Sequence, residues 1–359
     1  MKLMQNTMMI AAALGMLSTG GLAADPPKLA ERPAQVRGDE LTAESREAVE
    51  RGLAWLAANQ KADGSLGDTG GYGAQTGITA MGALAWMSAG NLPERGKYGV
   101  NVQKALEFIL ASTQESGLIS AGQLTGEMYS HGFATLFLAE VYGMTGDEEV
   151  KEKLQRAVRL IQRCQNDEGG WRYQPAPLEA DISATICQVM ALRAARDAGI
   201  KVEKAVIDRA IKYVLRCQNA DGGFSYMASQ GGGGGSGFAR SAAGVAALYY
   251  AGVFEGNNVE RGLTYIRQFQ PNKGMAGAEG GHYFYGQYYA VQAMFLAGDK
   301  HWADWFPAIR DELITRQKTS GGDHWTGEIN DAYATSLALI ILQMPNRYLP
   351  VFNGKGPGA

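Results

Sequence analysis

The stretch Arg156-Ala157-Val158-Arg159-Leu160-Ile161-Gln162-Arg163-Cys164-Gln165, then Gly169-Gly170-Trp171, returns 53 residues later. The second copy runs from Arg209-Ala210 to Gln218, then Gly222-Gly223-Phe224. Working outward, six glutamines punctuate the chain: Gln60, Gln114, Gln165, Gln218, Gln270 and Gln317, separated by 54, 51, 53, 52 and 47 residues. A period of this size is the mark of a repeat architecture. Before each Gln lies an amphipathic stretch. In the third copy its apolar positions are Leu154, Ala157, Val158 and Ile161; in the fourth they are Ile207, Ala210, Ile211 and Val214. This spacing puts one apolar stripe on a helix whose other face is charged. The first, second and fifth copies keep the stripe, and the sixth reads as degenerate, with Arg310 in it. Gly-rich turns follow, such as Glu168-Gly169-Gly170 and Asp221-Gly222-Gly223. Glycine there stops a helix and reverses the chain.

After each turn comes a second, almost wholly apolar helix: 76–88, 131–143, 181–197, 238–250, 285–296 and 331–343. A helix apolar on all sides is buried on all sides. Six half-wet helices around six dry ones predict an all-α fold, an (α/α)6 toroid of residues 45–345 with a hollow centre. Closing the ring removes the bare end faces of an open solenoid.

Composition narrows the function. Hydrophobic residues make up 46% and charged residues 19%, with a net charge of −3, which supports a packed core and no basic stripe for nucleic acid. Residues 1–23, with Lys2 and the apolar run 8–17, read as a signal peptide, and 24–44 as a linker. The expected location is secreted or periplasmic, with no membrane span after cleavage; 346–359 is a tail. Cys164, Cys187 and Cys217 are expected to be free, buried thiols. There is no CxxC and no HExxH, so neither metal nor cofactor is expected.

The repeat is similar to the QW repeat of squalene and oxidosqualene cyclases: a basic residue, a small one, an aromatic or Leu, an aliphatic, Gln, then Gly-x-Trp. The wider superfamily includes protein prenyltransferase β subunits and shares the toroid. In such repeats Gln60, Gln165, Trp171, Gln218, Phe224 and Gln270 tie neighbouring helices together. The cyclases' DxDD acid motif is matched only by the first residue of Asp181-Ile182-Ser183-Ala184. The prenyltransferases' Asp, Cys and His zinc ligands are met by Asp331, Tyr333 and Tyr285.

Aligning the inner helices on their starts puts Thr76, His131, Asp181, Phe238, Tyr285 and Asp331 in one layer. Candidate catalytic residues are His131, Asp181 and Asp331, with His131 and Asp181 placed to form a His–carboxylate pair. Asp181 and Asp331 read equally as helix N-caps. Candidate ligand-binding residues are Thr76, Thr185, Arg240, Tyr285, Tyr288, Tyr289 and Thr335, the tyrosines offering aromatic faces to a cation or ring. Gly231–Gly235 reads as a flap. The first functional reading is a toroid that binds, with or without turnover, an apolar or isoprenoid-type ligand in a central cavity. The alternatives are a polysaccharide lyase or glycosidase-like enzyme on the same scaffold, and a non-catalytic protein-interaction ring.

Overall fold

Twelve α-helices alternate between an outer and an inner position in the computed structural model, which describes residues 40–67, 75–122, 126–228, 234–271, 282–327 and 329–353. The proposed signal peptide, most of the linker and Gly231–Gly233 lie outside the described residues. The outer helices are α1 (Ala43–Asn59), α3 (Gly99–Ala111), α5 (Glu148–Arg163), α7 (Lys204–Arg216), α9 (Asn257–Ile266) and α11 (Asp299–Thr319). The inner ones are α2 (Thr76–Ser88), α4 (Glu127–Thr145), α6 (Ile182–Asp197), α8 (Phe238–Ala251), α10 (Tyr283–Leu296) and α12 (Asp331–Gln343).

The hydrophobic period decides which helix goes where. On α5 the buried residues are Val150, Leu154, Ala157, Val158, Leu160 and Ile161, a single stripe. The side chain of Asp147 caps its start by accepting from the amides of Glu149 and Val150. On α2 every residue from Thr76 to Ser88 is buried. The inner helices pack in sequence α2, α4, α6, α8, α10, α12, and α12 packs back on α2, so the ring is closed and the fold is an (α/α)6 toroid.

One corner device joins repeat to repeat. Gln165 Nε2 donates to the Gly169 carbonyl (2.9 Å) and to the Val206 carbonyl (2.8 Å) of the next repeat, while Arg209 Nε donates to Gln165 Oε1 (2.9 Å). Gln60 reaches Asn101, Gln218 reaches Asn258 and Gln270 reaches Asp304 in the same way. The seam between the last and first repeats uses it too. Gln317 donates to the Ala48 carbonyl (2.8 Å), and Arg51 Nη2 to Gln317 Oε1 (3.0 Å). The sixth repeat is therefore better formed than its sequence suggests. Its stripe is Trp302, Phe306, Ile309 and Leu313, all buried, and Arg310 is buried among them one turn after Phe306, with Nε on Asp311.

The turn glycine has a second role beyond its backbone angle. Gly169 has φ +98°, and a Cβ there would stand 2.3 Å from the carbonyl oxygen of Arg209 in the next repeat. Gly64, Gly117 and Gly222 face the carbonyls of Lys104, Arg156 and Arg261 in the same manner. Gly169→Ala is expected to cost about 2–3 kcal/mol, from the left-handed backbone and the displaced carbonyl. A urea midpoint within error of the parent would contradict this.

The ring's axis is filled at the level of α10, a correction to the expected hollow. Tyr285, Tyr288 and Tyr289 reach past α8 to helices that are not their ring neighbours. Tyr285 Oη donates to the Ser183 carbonyl (3.0 Å), Tyr288 Oη to Met190 Sδ (3.7 Å), and Tyr289 Oη lies 3.4 Å from Cys187 Sγ. The Tyr288 ring also lies 6.1 Å from that of Phe133 on α4. Wide phenol side chains bridge the gap that six close-packed helices leave between them. All three cysteines are free and buried. Among the described residues no helix is long and apolar enough to cross a membrane.

Candidate functional site

The inner helices begin at one rim of the ring, and their true register follows from a repeated hydrogen bond. The amide just after each turn donates to a polar side chain on the inner helix. Leu66 N donates to Thr79 Oγ1, Trp171 N to Thr185 Oγ1, Phe224 N to Ser241 Oγ and Trp325 N to Thr335 Oγ1. In the second repeat Ile119 N donates to His131 Nδ1 (3.1 Å). His131 is thus equivalent to Thr185 and Thr335, not to Asp181.

This register corrects the proposed His–carboxylate pair. His131 is wholly buried, and its Nε2, 3.3 Å from the Ala157 carbonyl, donates to it while Nδ1 accepts. Burial lowers its pKa to about 4, so the ring is neutral at ordinary pH. Thr185 and Thr335 serve the same latch, and Thr76 Oγ1 lies 3.4 Å from the Ile119 carbonyl. Arg240 Nη2 donates to the Gly235 carbonyl (3.0 Å) at the base of the Gly-rich loop.

Four residues before the latch stand Gln75, Glu127, Asp181, Gly237 and Asp331. Three acids therefore occupy equivalent places on the rim. Asp181 is the N-cap of α6, its Oδ1 accepting from Ala184 N at 2.8 Å. Asp331 is the first residue of α12, whose cap is Asn330. Asp331 Oδ2 lies 3.6 Å from His324 Nε2, and His324 stacks on Trp55 at 4.6 Å. Asp181 and Asp331 belong to helices three places apart in a ring of six, so they face each other across it and do not form a pair.

The residues that do converge lie at repeats two to four. The chain between α5 and α6 forms a lobe closed at its base, where Asp181 N donates to the Trp171 carbonyl (3.0 Å). The carbonyl of Tyr173 accepts from Met128 N, and that of Tyr226 from Ile182 N, so each loop satisfies an open amide at the start of the preceding inner helix. The Tyr173 and Tyr226 hydroxyls hydrogen-bond to one another, and the Tyr129 ring lies 5.9 Å from that of Tyr173. Arg172 lies over the Tyr173 ring (5.1 Å), and its Nη1 donates to Glu179 Oε2. A cleft of about 370 Å³ opens here, lined by Glu127, Arg172, Tyr173, Gln174, Leu178 and Glu179 among others.

Asp181 lies behind Arg172, which lines this cleft; its side chain is fully enclosed, with Oδ2 3.9 Å from Arg172 Nε. Burial raises its carboxyl above the usual range; the Ala184 amide is the strongest of the groups that pull it back, and Arg172 adds to it. Among the described residues, no group of three or more His, Cys, Asp and Glu side chains is placed to hold a metal ion.

Residues 97–351 match the prenyltransferase alpha-alpha toroid domain. The chain belongs to that family. No curated protein sequence matches it significantly. Several solved structures share the fold of this toroid-family chain. One is an inactive double-Asp variant of the α-1,6-mannanase GH76A of Salegentibacter sp. HEL1_6, in complex with α-1,6-mannotriose. It is 10% identical, has a TM-score of 0.63, and the match covers 85% of this chain and 99% of that one. A GH76 α-mannanase of Bacteroides thetaiotaomicron is 10% identical at a TM-score of 0.59, over 85% and 96% of the two chains. The unsaturated glucuronyl hydrolase of Bacillus sp. GL1 is 12% identical at 0.58, over 88% and 100%.

Within this toroid the site residues that sequence reasoning missed are Glu127, Tyr129, Arg172, Tyr173, Glu179 and Tyr226. A signal for the pair of hydroxyls was present. Tyr173 and Tyr226 each stand two residues after the aromatic of their repeat, Trp171 and Phe224.

Proposed function

We propose that this chain is a glycosidase-type enzyme acting on a glycan held in the rim cleft between repeats two and four. The observation that carries the reading is a cleft lined by Glu127, Arg172 and Tyr173, with the enclosed carboxyl of Asp181 3.9 Å behind Arg172. Asp181 is enclosed, and its carboxyl is biased toward the protonated form. Glu127, at the equivalent rim position, lines the cleft itself. Glycosidic cleavage needs one carboxyl to give a proton to the leaving oxygen and another that stays ionised as base or nucleophile. In this reading Asp181 gives the proton and Glu127, on the cleft wall, acts as base or nucleophile, while Tyr173 offers a ring face on which a sugar can stack. The mannanase and glucuronyl hydrolase structures support the reading, since each is a carbohydrate-cleaving protein on the same scaffold. The apolar-ligand reading has less support, because Tyr288 and Tyr289 occupy the axis where an isoprenoid would lie.

The test is release of reducing ends from a panel of α- and β-linked polysaccharides. The parent is expected to cleave at least one of them. Glu127→Gln and Asp181→Asn are each expected to lower the rate at least about 100-fold, the usual scale for a general acid or base. Asn retains the α6 cap, so the thermal midpoint of Asp181→Asn is expected to stay near the parent's. Failure to cleave any glycan, or cleavage unchanged in both variants, would overturn the assignment.

A further inference from the structure

Asp181 is wholly enclosed and stands behind Arg172, so its carboxyl does not meet a sugar lying in the cleft. Arg172 carries no proton across that barrier, because a guanidinium keeps its protons at any ordinary pH. Two tyrosines form another polar route. Each is pinned by its own carbonyl beside a rim acid. The Tyr226 carbonyl accepts from the amide of Ile182 (2.9 Å), the residue after Asp181. The Tyr173 carbonyl accepts from the amide of Met128 (3.0 Å), the residue after Glu127. The repeat thus ties one tyrosine in next to each acid.

The side chains continue the link. The Tyr226 hydroxyl lies beside the Asp181 carboxyl, whose ionised form it favours, and it hydrogen-bonds to the Tyr173 hydroxyl. Tyr173 lines the cleft and is 37% exposed. A row of three groups therefore runs from the enclosed carboxyl to the cleft wall: Asp181, Tyr226, Tyr173. A hydroxyl donates and accepts at once, the property that lets a proton pass along such a row. Burial, the bond to Tyr173 and the charge of Asp181 all raise the Tyr226 phenol above the ordinary phenol range, so it remains an intact O–H.

We propose that Tyr226 and Tyr173 pass the proton of Asp181 to the leaving oxygen of a substrate held in the cleft. The inference rests on the glycan reading above and deepens it by saying how an enclosed acid reaches its substrate. Asp181 gives its proton to the Tyr226 oxygen, Tyr226 gives its own hydroxyl proton to the Tyr173 oxygen, and Tyr173 gives its own to the glycosidic oxygen. That oxygen leaves with the electron pair of its bond to the anomeric carbon, and Glu127, or water activated by it, supplies the new pair to that carbon. Both tyrosines end neutral, and Asp181 ends as the carboxylate. The proton that hydrolysis releases returns along the same row from the side of Tyr173. Tyr173 touches the substrate, whereas Tyr226 acts through it.

The experiment compares the full chain with its Tyr226→Phe and Tyr173→Phe variants on two substrates of one sugar. One is the polysaccharide that the parent cleaves, whose leaving alcohol needs a proton. The other is the dinitrophenyl glycoside, whose leaving phenolate needs none. Phe keeps the ring and the pinning carbonyl, so the thermal midpoints are expected to stay near the parent's. Each variant is expected to lose about 100-fold on the polysaccharide, the scale of a general acid, and to lose at least about tenfold less on the aryl glycoside. Equal loss on both substrates, the mark of a merely structural role, or no loss on either would overturn the inference and leave the glycan reading standing. A parent that cleaves no glycan would remove both. A second measurement needs no turnover. The infrared carboxyl band that disappears in Asp181→Asn reports the protonation of Asp181. Its titration midpoint is expected to rise by about half a pH unit or more in Tyr226→Phe, because a group that favours the carboxylate is gone. A midpoint within error of the parent's would overturn the inference on its own.

Discussion

Glu140→Gln is expected to stabilise the ring by about 4–5 kcal/mol at pH 8 and above, and to change it little near pH 4.5. Glu140 sits on α4 with 2% of its surface exposed. Its Oε1 accepts from the amide of Val351 (3.1 Å), in the 3₁₀ turn Pro350–Asn353 that packs on α6. Its Oε2 has no partner among the described residues. Burial is the main cause that pushes this carboxyl up to about 8. The Val351 amide pulls it down, and the nearby Asp197 adds to the rise.

The sign follows from where the proton is held. Between pH 4.5 and 8 the folded chain keeps a proton that the unfolded chain releases, so stability falls as pH rises through that window. Each unit is worth about 1.36 kcal/mol, and three to four units give the figure above. His131 works in the opposite direction. Its pKa is lowered from 6.5 to about 4, so its contribution is lost as pH falls through that range. The two slopes offset each other between pH 4.5 and 6.5. For these two groups the parent should show a plateau there and a decline toward pH 8. In the Gln variant, which keeps the acceptor for Val351, the decline disappears and stability rises with pH up to about 6.5. Urea midpoints measured from pH 4.5 to 9 decide the matter, and parallel curves for parent and variant would refute it.

How far the sequence carried depends on which contacts obey a period. Helices 76–88 and 331–343 were legible to the residue, because their apolar runs begin beside a polar cap position and end at a clear change of composition. Helix α4 was not. It starts at Glu127, one turn before the predicted 131, behind Gly126 in the left-handed conformation. Its first turn, Glu127-Met128-Tyr129-Ser130, is mixed in polarity and reads as loop. That one-turn error moved His131 into the rim layer and hid Glu127, the acid equivalent to Asp181. The latch would have exposed it. A Thr, Ser or His four residues after the rim position recurs at 79, 131, 185, 241 and 335.

The cleft was harder to read. Arg172, Tyr173 and Glu179 lie in a loop whose partners are on neighbouring repeats, and no helical or strand period links them. The filled axis was hidden for a related reason. The sequence shows that Tyr285, Tyr288 and Tyr289 share a helix, but not that the distance across six inner helices is short enough for a phenol to bridge. Cys164 and Cys217, by contrast, followed from repeat logic, and Cys187 from its place in the middle of an inner helix. Equivalent places on separately packed helices cannot approach to disulfide distance.

Trp325→Ala is expected to cost about 3–5 kcal/mol, the range for removing a buried Trp, and to weaken the ring first at its seam. Trp325 is wholly buried, and its Nε1 donates to the Leu313 carbonyl (2.7 Å) on α11. Its amide is the one held by Thr335 on α12 (3.0 Å). Its ring lies against α1, so near that a Cβ on Gly52 would stand 2.8 Å from Cζ3. One residue therefore joins three helices, its side chain the last and first outer helices and its amide the last inner one. Trp171 makes the equivalent bond inside the ring, to the Ile161 carbonyl (2.7 Å) of its own outer helix, but the repeats on either side of it are also continuous in the chain. At the seam no covalent connection assists, and contacts alone close the circle. A chain of repeats whose ends come apart becomes a linear array that frays from its termini. Hydrogen exchange should thus show α1, α11 and α12 losing protection before α5 to α8 in Trp325→Ala, with no such polarity in Trp171→Ala. Trp325→Phe keeps most of the volume and forfeits the bond to Leu313, for a loss of about 1–3 kcal/mol. Uniform exchange across all twelve helices in Trp325→Ala would mean that the ring opens as one unit, and that its seam is no weaker than its other joints.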